Sequence, residues 1–379
     1  MSIITDVAAR FHNTLVAHAV ARDGVIGLAV SGGGDSIAMM HLAASAIAPE
    51  RLIVFTIDHG LRPEAASEIG LVKAQAGVLG LRHVVAKWNW DHHGNLQAAA
   101  RAGRWSAIVA LAQAHNVDTI WMGHTEDDQV ETFLMRLARG SGVDGLTAMR
   151  MMSKRDGLAI FRPLLDITRA DLRAWLTHHA IVWCNDPSNE DARFDRVRAR
   201  QMADQLGDLG LTAKRILQTV EHMQAAQQTL LHSAYDFACD HIRQEGGDLI
   251  VSQTALQITQ ADAPRRALAA AIGWVGSQGV RPRFEQLKGM ASRGLLGDTA
   301  TLNGCILTSQ GDGTVRLSRE AAATKPMAAS LAEDALIWDQ RWRLTGPSGT
   351  GLIVKSLGDG IKLCPDWRQT GIPRVSLLA

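Results

Sequence analysis

The stretch GVIGLAVSGGGDSIAMMHLAASAIA, Gly24 to Ala48, decides the fold. A β-type apolar run, Val25–Val30, breaks into Ser31-Gly32-Gly33-Gly34-Asp35-Ser36 and resumes as a run of helical composition, Ser36–Ala48. A strand that feeds a glycine-rich turn at a helix N-terminus is an anion site, because unpaired N–H groups and the helix dipole point to one place. A tight strand-to-helix turn would need a serine cap and one glycine. Three glycines in a row cost roughly 0.5–1 kcal/mol each in chain entropy, more than such a turn requires. Asp35 puts a negative charge where phosphate would sit, which calls for a cation between them, most simply Mg²⁺. The lysine of the other common phosphate loop, G-x-x-x-x-G-K-S/T, is absent.

Outward from this loop, β-rich runs at Val25–Val30, Leu52–Ile57, His83–Trp88 and Thr119–Met122 alternate with helical segments at Ser36–Ala48, Pro63–Leu79, Asn95–His115 and Glu126–Arg139. That alternation predicts an α/β fold with a parallel sheet covered on both faces, whose ligands bind beyond the carboxyl ends of the strands. The polar clusters Ser31–Ser36, Asp58–Arg62 and His124–Glu131 each follow one of those strands.

Beyond Pro187 the pattern changes. Residues 194–245 read as mostly helical, with a long helix over Leu209–His232, and Ala263–Gly276 as another helix. GDTATLNGCILTSQGDGTVRLS reads as strands, and the end, from Ile337, as a small β-rich module after a linker-like stretch. The expected division is 1–210 for the domain that carries the glycine loop, 211–325 for a mainly helical linker domain, and 326–379 for the C-terminal module. The apolar ending VSLLA is read as the mark of a trimmed chain.

Composition narrows the class. The 379 residues are 46% hydrophobic and 20% charged, without the ~20 uninterrupted apolar residues of a membrane span. The N-terminal MSIITDVAARFHNTLVAH lacks the basic start and apolar core of a signal peptide, so a cytoplasmic, membrane-free protein is expected. Cys184, Cys239, Cys305 and Cys364 form no C-x-x-C pair and predict free thiols. Residues 1–213 carry 21 Lys and Arg against 23 Asp and Glu, and residues 214–379 carry 18 against 15. Any nucleic-acid contact therefore comes from local patches. His59, His124 and the His92-His93 pair lack zinc-ligand spacing, so no zinc is assigned.

The S-G-G-x-D-S loop resembles that of the N-type ATP pyrophosphatases, which cleave ATP between its α- and β-phosphates. Later motifs choose among that superfamily. DHGLRPEAASE (Asp58–Glu68), NLQAAARAGRW (Asn95–Trp105), GHTEDDQVET (Gly123–Thr132), RGSGVDGLTAM (Arg139–Met149), RPLL (Arg162–Leu165) and DPSNEDARFDRVR (Asp186–Arg198) are together similar to the tRNA(Ile)-lysidine synthases, in order and spacing. The resemblance is close over about residues 20–200. Two departures stand out: that family usually has Tyr or Phe where this chain has Trp105, and Gly where it has Ala148.

The resemblance implies an ATP- and Mg²⁺-dependent ligase. It adenylates the C2 oxygen of the wobble cytidine in an isoleucine tRNA with a CAU anticodon, and the ε-amine of free L-lysine then displaces AMP. Ser31, Gly32, Gly33, Gly34 and Ser36 would hold the phosphates, with Asp35 on Mg²⁺ and Asp58, His59, Arg101 and His124 on the nucleotide side. The amine poses its own problem: only about one lysine side chain in two thousand is neutral at pH 7, a gap of roughly 4–5 kcal/mol. Asp127, Asp128 and Glu131 supply carboxylates, and on a helix from Glu126 positions 128 and 131 share a face. The resemblance points to Asp128 and Glu131 as the lysine site, with Arg104 beside it. The stripe Gln97, Arg101, Arg104 is open to two readings, a solvated face or an anion contact. Arg193, Arg196, Arg198 and Arg200 are likewise either solvated or bound to tRNA phosphates, and the second reading is adopted for its closeness to the site motifs. The rivals are a tRNA cytidine thiolation enzyme, which needs paired thiols, and a non-catalytic RNA-binding protein on the same scaffold.

Overall fold

In the computed structural model of the chain, residues 3–18, 24–58, 60, 65–88, 96–185, 195–277 and 281–324 are described, together with 329–330, 336–345, 353–354, 357, 361–362, 366 and 369. They form two compact units, Met1–Ala225 and Ala226–Ala379.

The first unit runs α1 (Ile3–Ala17), β1 (Val25–Ala29), α2 (Gly34–Ala46), β2 (Leu52–Asp58), α3 (Ala65–Val78), β3 (Arg82–Lys87), α4 (Leu96–Ala114), β4 (Val117–Met122) and α5 (Glu126–Ala138). It continues through α6 (Val143–Leu146), β5 (Met152–Arg155), β6 (Leu158–Phe161), α7 (Arg169–His178), α8 (Asp195–Asp208) and the first part of α9 (Ala213–His241). The sheet order is β3-β2-β1-β4-β6-β5, parallel except for the β5–β6 hairpin at its edge. All four strands and four helices expected in the first 140 residues form, with ends shifted by one or two residues.

Residues of period two on the strands serve two cores. Leu28, Val54 and Trp121 face Phe11 of α1, Ile37 and Met40 of α2, Val72 of α3 and Leu172 of α7. Phe55 and Ile120 face Trp105, Ile108 and Ala112 of α4. The N-terminal stretch, given no element from sequence, is the amphipathic α1, burying Val7, Phe11 and Leu15 at steps of four. A third cluster packs Phe133 and Leu134 of α5 against Ala199 of α8 and Ile216 and Val220 of α9.

The second unit holds β7 (Ile242–Glu245), β8 (Asp248–Ser252), α10 (Gln253–Gln257), α11 (Asp262–Gly276), α12 (Phe284–Leu295), β9 (Ala300–Leu302), β10 (Cys305–Ser309) and β11 (Thr314–Arg319). The strands make an antiparallel sheet in the order β7-β8-β11-β10-β9, covered by α11 and α12 over Leu268, Ile272, Leu287, Leu307 and Leu317. β12 (Ala329–Ser330) pairs with β15 (Ile353–Val354), and β13 (Leu336–Trp338) with β14 (Trp342–Leu344). The long helix expected over Leu209–His232 lies at Ala213–His241, because Gly210 ends the preceding turn at φ +84° and starts the new helix later. The region to 245, expected as mostly helical, ends in β7, whose partner β8 lies across a Gly246-Gly247 turn.

Candidate active site

β2 and β3 lie on one side of β1, and β4 and β6 on the other. The order therefore reverses between β1 and β4, and a crevice opens beyond their carboxyl ends. The glycine loop enters it from β1 and the acidic start of α5 from β4. Gly32 sits at φ +93°, a conformation that side chains rarely adopt, and turns the chain so that Gly33 caps α2. Ile37 N–H donates to Gly33 O at 3.0 Å as the first helical bond, so the preceding amides of α2 have no helical partner and point outward. Ser36 Oγ donates to Gly33 O at 2.9 Å and accepts from Ser31 N–H at 3.2 Å, fixing both serines at the mouth of the loop. Cys184 N–H donates to Gly32 O at 2.9 Å and braces the loop from behind. Across the crevice, a Cβ at Gly123 would lie 3.0 Å from Asp35 O, so this glycine lets the two sequence motifs approach.

On α5 the carboxylate of Asp128 turns back to its own helix start. Thr125 N–H donates to Asp128 Oδ2 at 2.9 Å, leaving Oδ1 directed into the site. Glu131, 2% exposed, lies one turn on. Both carboxylates meet guanidinium groups. Arg200 Nε and Nη2 donate to Glu131 Oε1 at 3.0 and 2.8 Å, and Arg196 Nη1 is 3.6 Å from Asp128 Oδ1. Glu131 Oε2 is buried without a hydrogen-bond partner among the described residues. Such an orphan is costly unless a donor arrives.

At the centre stands Arg169, the first residue of α7. Its Nε donates to Asp35 Oδ2 at 3.1 Å, its backbone N–H to Asp127 Oδ2 at 2.7 Å, and its terminal nitrogens lie 3.5 Å from Asp128 Oδ1 and Glu131 Oε1. Burial pushes the Asp35 carboxyl above its ordinary value, Arg169 pulls it back, and Asp128 and Asp127 add to the upward push. Asp35 thus favours a cation beside it. Sequence reasoning missed Arg169, although a signal existed: a cation at the first position of a helix opposes the dipole and implies anionic partners.

Arg101, Arg104, Arg162 and Arg196 lie close enough to repel one another, and Arg196 joins them to Asp128. Burial lowers Arg104, Arg101 and Arg162, and the repulsion of Arg101 and Arg196 adds to it at Arg104. Burial also pushes His124 down to about 4, against the pull of Asp128, so the imidazole is neutral at pH 7. Its Nδ1 is buried with no partner among the described residues.

The structure thus brings together Ser31, Gly32, Gly33, Gly34, Asp35, Ser36, His124, Asp128 and Glu131 at one sheet edge, with Arg101, Arg104 and Arg196 at its rim. Asp58 ends β2, where its Oδ1 accepts from Gly60 N–H at 2.9 Å. Arg198 points elsewhere and pairs with Asp195 on its own helix. His59 and Arg193 lie outside the described residues, as do Cys364 and the Gln97 side chain. Cys184, Cys239 and Cys305 are free thiols. No described helix is long and apolar enough to cross a membrane.

A PP-loop domain family matches residues 4–206. A tRNA(Ile)-lysidine synthase from Ruegeria pomeroyi is 41% identical over 93% of this chain and 84% of its own length. The chain belongs to the tRNA(Ile)-lysidine synthase family. A second such synthase, from Wolbachia pipientis, is 31% identical over 88% of the chain and 80% of its own length. The synthase fold is shared more distantly with the U34-tRNA thiolase NcsA from Methanococcus maripaludis, at a TM-score of 0.51 and 14% identity over 60% of this chain and 79% of that one.

Proposed function

We infer that the chain converts the wobble cytidine of an isoleucine tRNA to lysidine, consuming ATP and free lysine, in the cytoplasm where charged and uncharged tRNA circulate. The observation that carries this reading is the meeting of the glycine loop with the carboxylates of α5 at the β1/β4 crevice, in a chain whose relatives are lysidine synthases. In the first step the cytidine C2 oxygen attacks the α-phosphorus and pyrophosphate leaves. The outward amides of α2 with Ser31 and Ser36 hold the departing phosphates, and Arg101, Arg104 and the neutral His124 line the other wall as donors.

Asp35 fits Mg²⁺ of the kind that takes one carboxylate and fills its other positions from phosphate and water. Among the described residues no group of three His, Cys, Asp or Glu side chains is arranged to hold a metal ion, so Asp35 would be the carboxylate the protein offers it. Bound there, the ion would supply charge neutralisation for the phosphates. In the second step the lysine amine attacks C2 and AMP departs with the oxygen. Glu131 Oε2 and Asp128 Oδ1 receive the ammonium, and one proton leaves the nitrogen before attack. The C2 carbon thereby exchanges a C–O for a C–N bond.

The test is direct: the protein is incubated with ATP, Mg²⁺, radiolabelled lysine and bulk bacterial tRNA. Label in the RNA, dependent on ATP, is the expected result. Pyrophosphate release without label transfer would leave an adenylating enzyme with a different nucleophile.

A further inference from the structure

One guanidinium serves both halves of the site. Arg169 contacts Asp35 on the nucleotide side at 3.1 Å, while its contacts to Asp128 and Glu131 on the amine side are both 3.5 Å. The backbone N–H of Arg169 is held on Asp127, so the side chain moves about a fixed main chain. The 3.5 Å contacts stand at the outer limit of hydrogen bonding and are the ones that yield. A substrate ammonium must share Asp128 and Glu131 with this resident cation, beside Arg196 on Asp128 and Arg200 on Glu131 Oε1. Two like charges this close repel, so the ammonium and the guanidinium compete for the same oxygens. Phosphates at the glycine loop would offer the guanidinium new anionic partners on the Asp35 side.

We propose that Arg169 is a positioning residue that links nucleotide occupancy to lysine affinity: phosphate beside Asp35 draws its guanidinium away from Asp128 and Glu131 and opens them to the ammonium. The inference rests on those two carboxylates being the amine site. While the site is empty, the same guanidinium keeps neighbouring carboxylates from repelling one another. Nucleotide therefore favours lysine binding, and by reciprocity lysine favours nucleotide.

Calorimetric titration of lysine into the full chain tests this, with and without Mg²⁺ plus an ATP analogue that cannot be cleaved between the α- and β-phosphates. The nucleotide should tighten lysine binding about fivefold or more, the lower end of ordinary coupling between sites. In Arg169→Gln the ratio should fall to about one, and lysine affinity without nucleotide should rise as the competing cation is removed. Arg169→Lys keeps a charge but cannot span both sides, and should restore part of the ratio. Thermal unfolding checks that each variant is folded; if Arg169→Gln is not, a reduced ratio in Arg169→Lys carries the test. An unlinked wild type, or a ratio unchanged in the folded variants, overturns the proposal. Glu131→Gln separates the two readings. Unchanged lysine affinity there refutes the amine site itself, whereas lost affinity there with the ratio intact in Arg169→Gln refutes only the role of Arg169.

Discussion

Ala148 sits at φ +47°, at the position where the family resemblance implies glycine. A side chain in the left-handed region costs roughly 1–2 kcal/mol. Against that, glycine costs ~0.5–1 kcal/mol of chain entropy, and the buried methyl contributes about 0.8 kcal/mol. The two sides nearly cancel, which explains why alanine is tolerated. Ala148→Gly should change unfolding free energy in urea by less than about 1 kcal/mol, and a loss of several times that would mean the methyl is a packing anchor. Trp105, the other departure, is buried with its indole N–H on Asp156 and the Arg155 guanidinium over its ring at 4.7 Å. His124 has a pH consequence. Its folded pKa is depressed to about 4, so between pH 6.5 and 4 the unfolded chain binds the extra proton and stability falls on acidification. By pH 5 this is worth about 2 kcal/mol relative to pH 7. Urea unfolding of His124→Asn should lose that part of the pH slope; an identical slope in the variant would assign acid sensitivity to other groups.

Among the elements, α8 divides its arginines. Arg196 and Arg200 turn inward to Asp128 and Glu131, whereas Arg198, with a side chain 59% exposed, pairs with Asp195 on its own helix. Arg198→Ala should therefore weaken tRNA binding with a salt slope lower by about one unit and lysine affinity unchanged. Unaltered tRNA affinity and slope would make Arg198 a solvated residue. Arg196→Ala should disturb lysine binding as well, because it leaves Asp128 without that cation. Sequence alone could not divide them, since four arginines in eight residues carry no mark of which face meets α5. The strands and helices of the parallel sheet were legible because period two and period 3.6 alternate cleanly there. The β5–β6 hairpin was passed over although its Asp156-Gly157 turn is a hairpin signal, because the flanking runs are four residues each. The carboxylates of α5 and the glycine loop were readable as local motifs. Arg169 carried only the local mark of a cation at a helix start, because the partners that give it a role lie 38 to 134 residues away.

For the whole molecule, the proposed function divides two chemical steps between two strand ends, and that division can be observed. On that reading nucleotide contacts come from the loop after β1, amine contacts from the helix after β4, and adenylation needs no amine. Adenylated tRNA should therefore accumulate when lysine is withheld. Asp128→Asn and Glu131→Gln should still form it, because neither residue touches the glycine loop, but should fail to resolve it. Losing a hydrogen bond to a charged group costs roughly 1.5–3 kcal/mol, about ten- to a hundredfold in lysine affinity. Any loss of the second-step rate at saturating lysine, beyond that, marks the proton acceptor. Glu131 should show the larger effect, since its buried Oε2 has no other donor among the described residues, while Asp128 Oδ2 remains bonded to Thr125. The steps separate by trapping the intermediate with labelled ATP and then adding lysine. A variant blocked in adenylation that resolves preformed adenylate at the wild-type rate would move its residue to the nucleotide side, and with it the boundary between the two halves of the crevice.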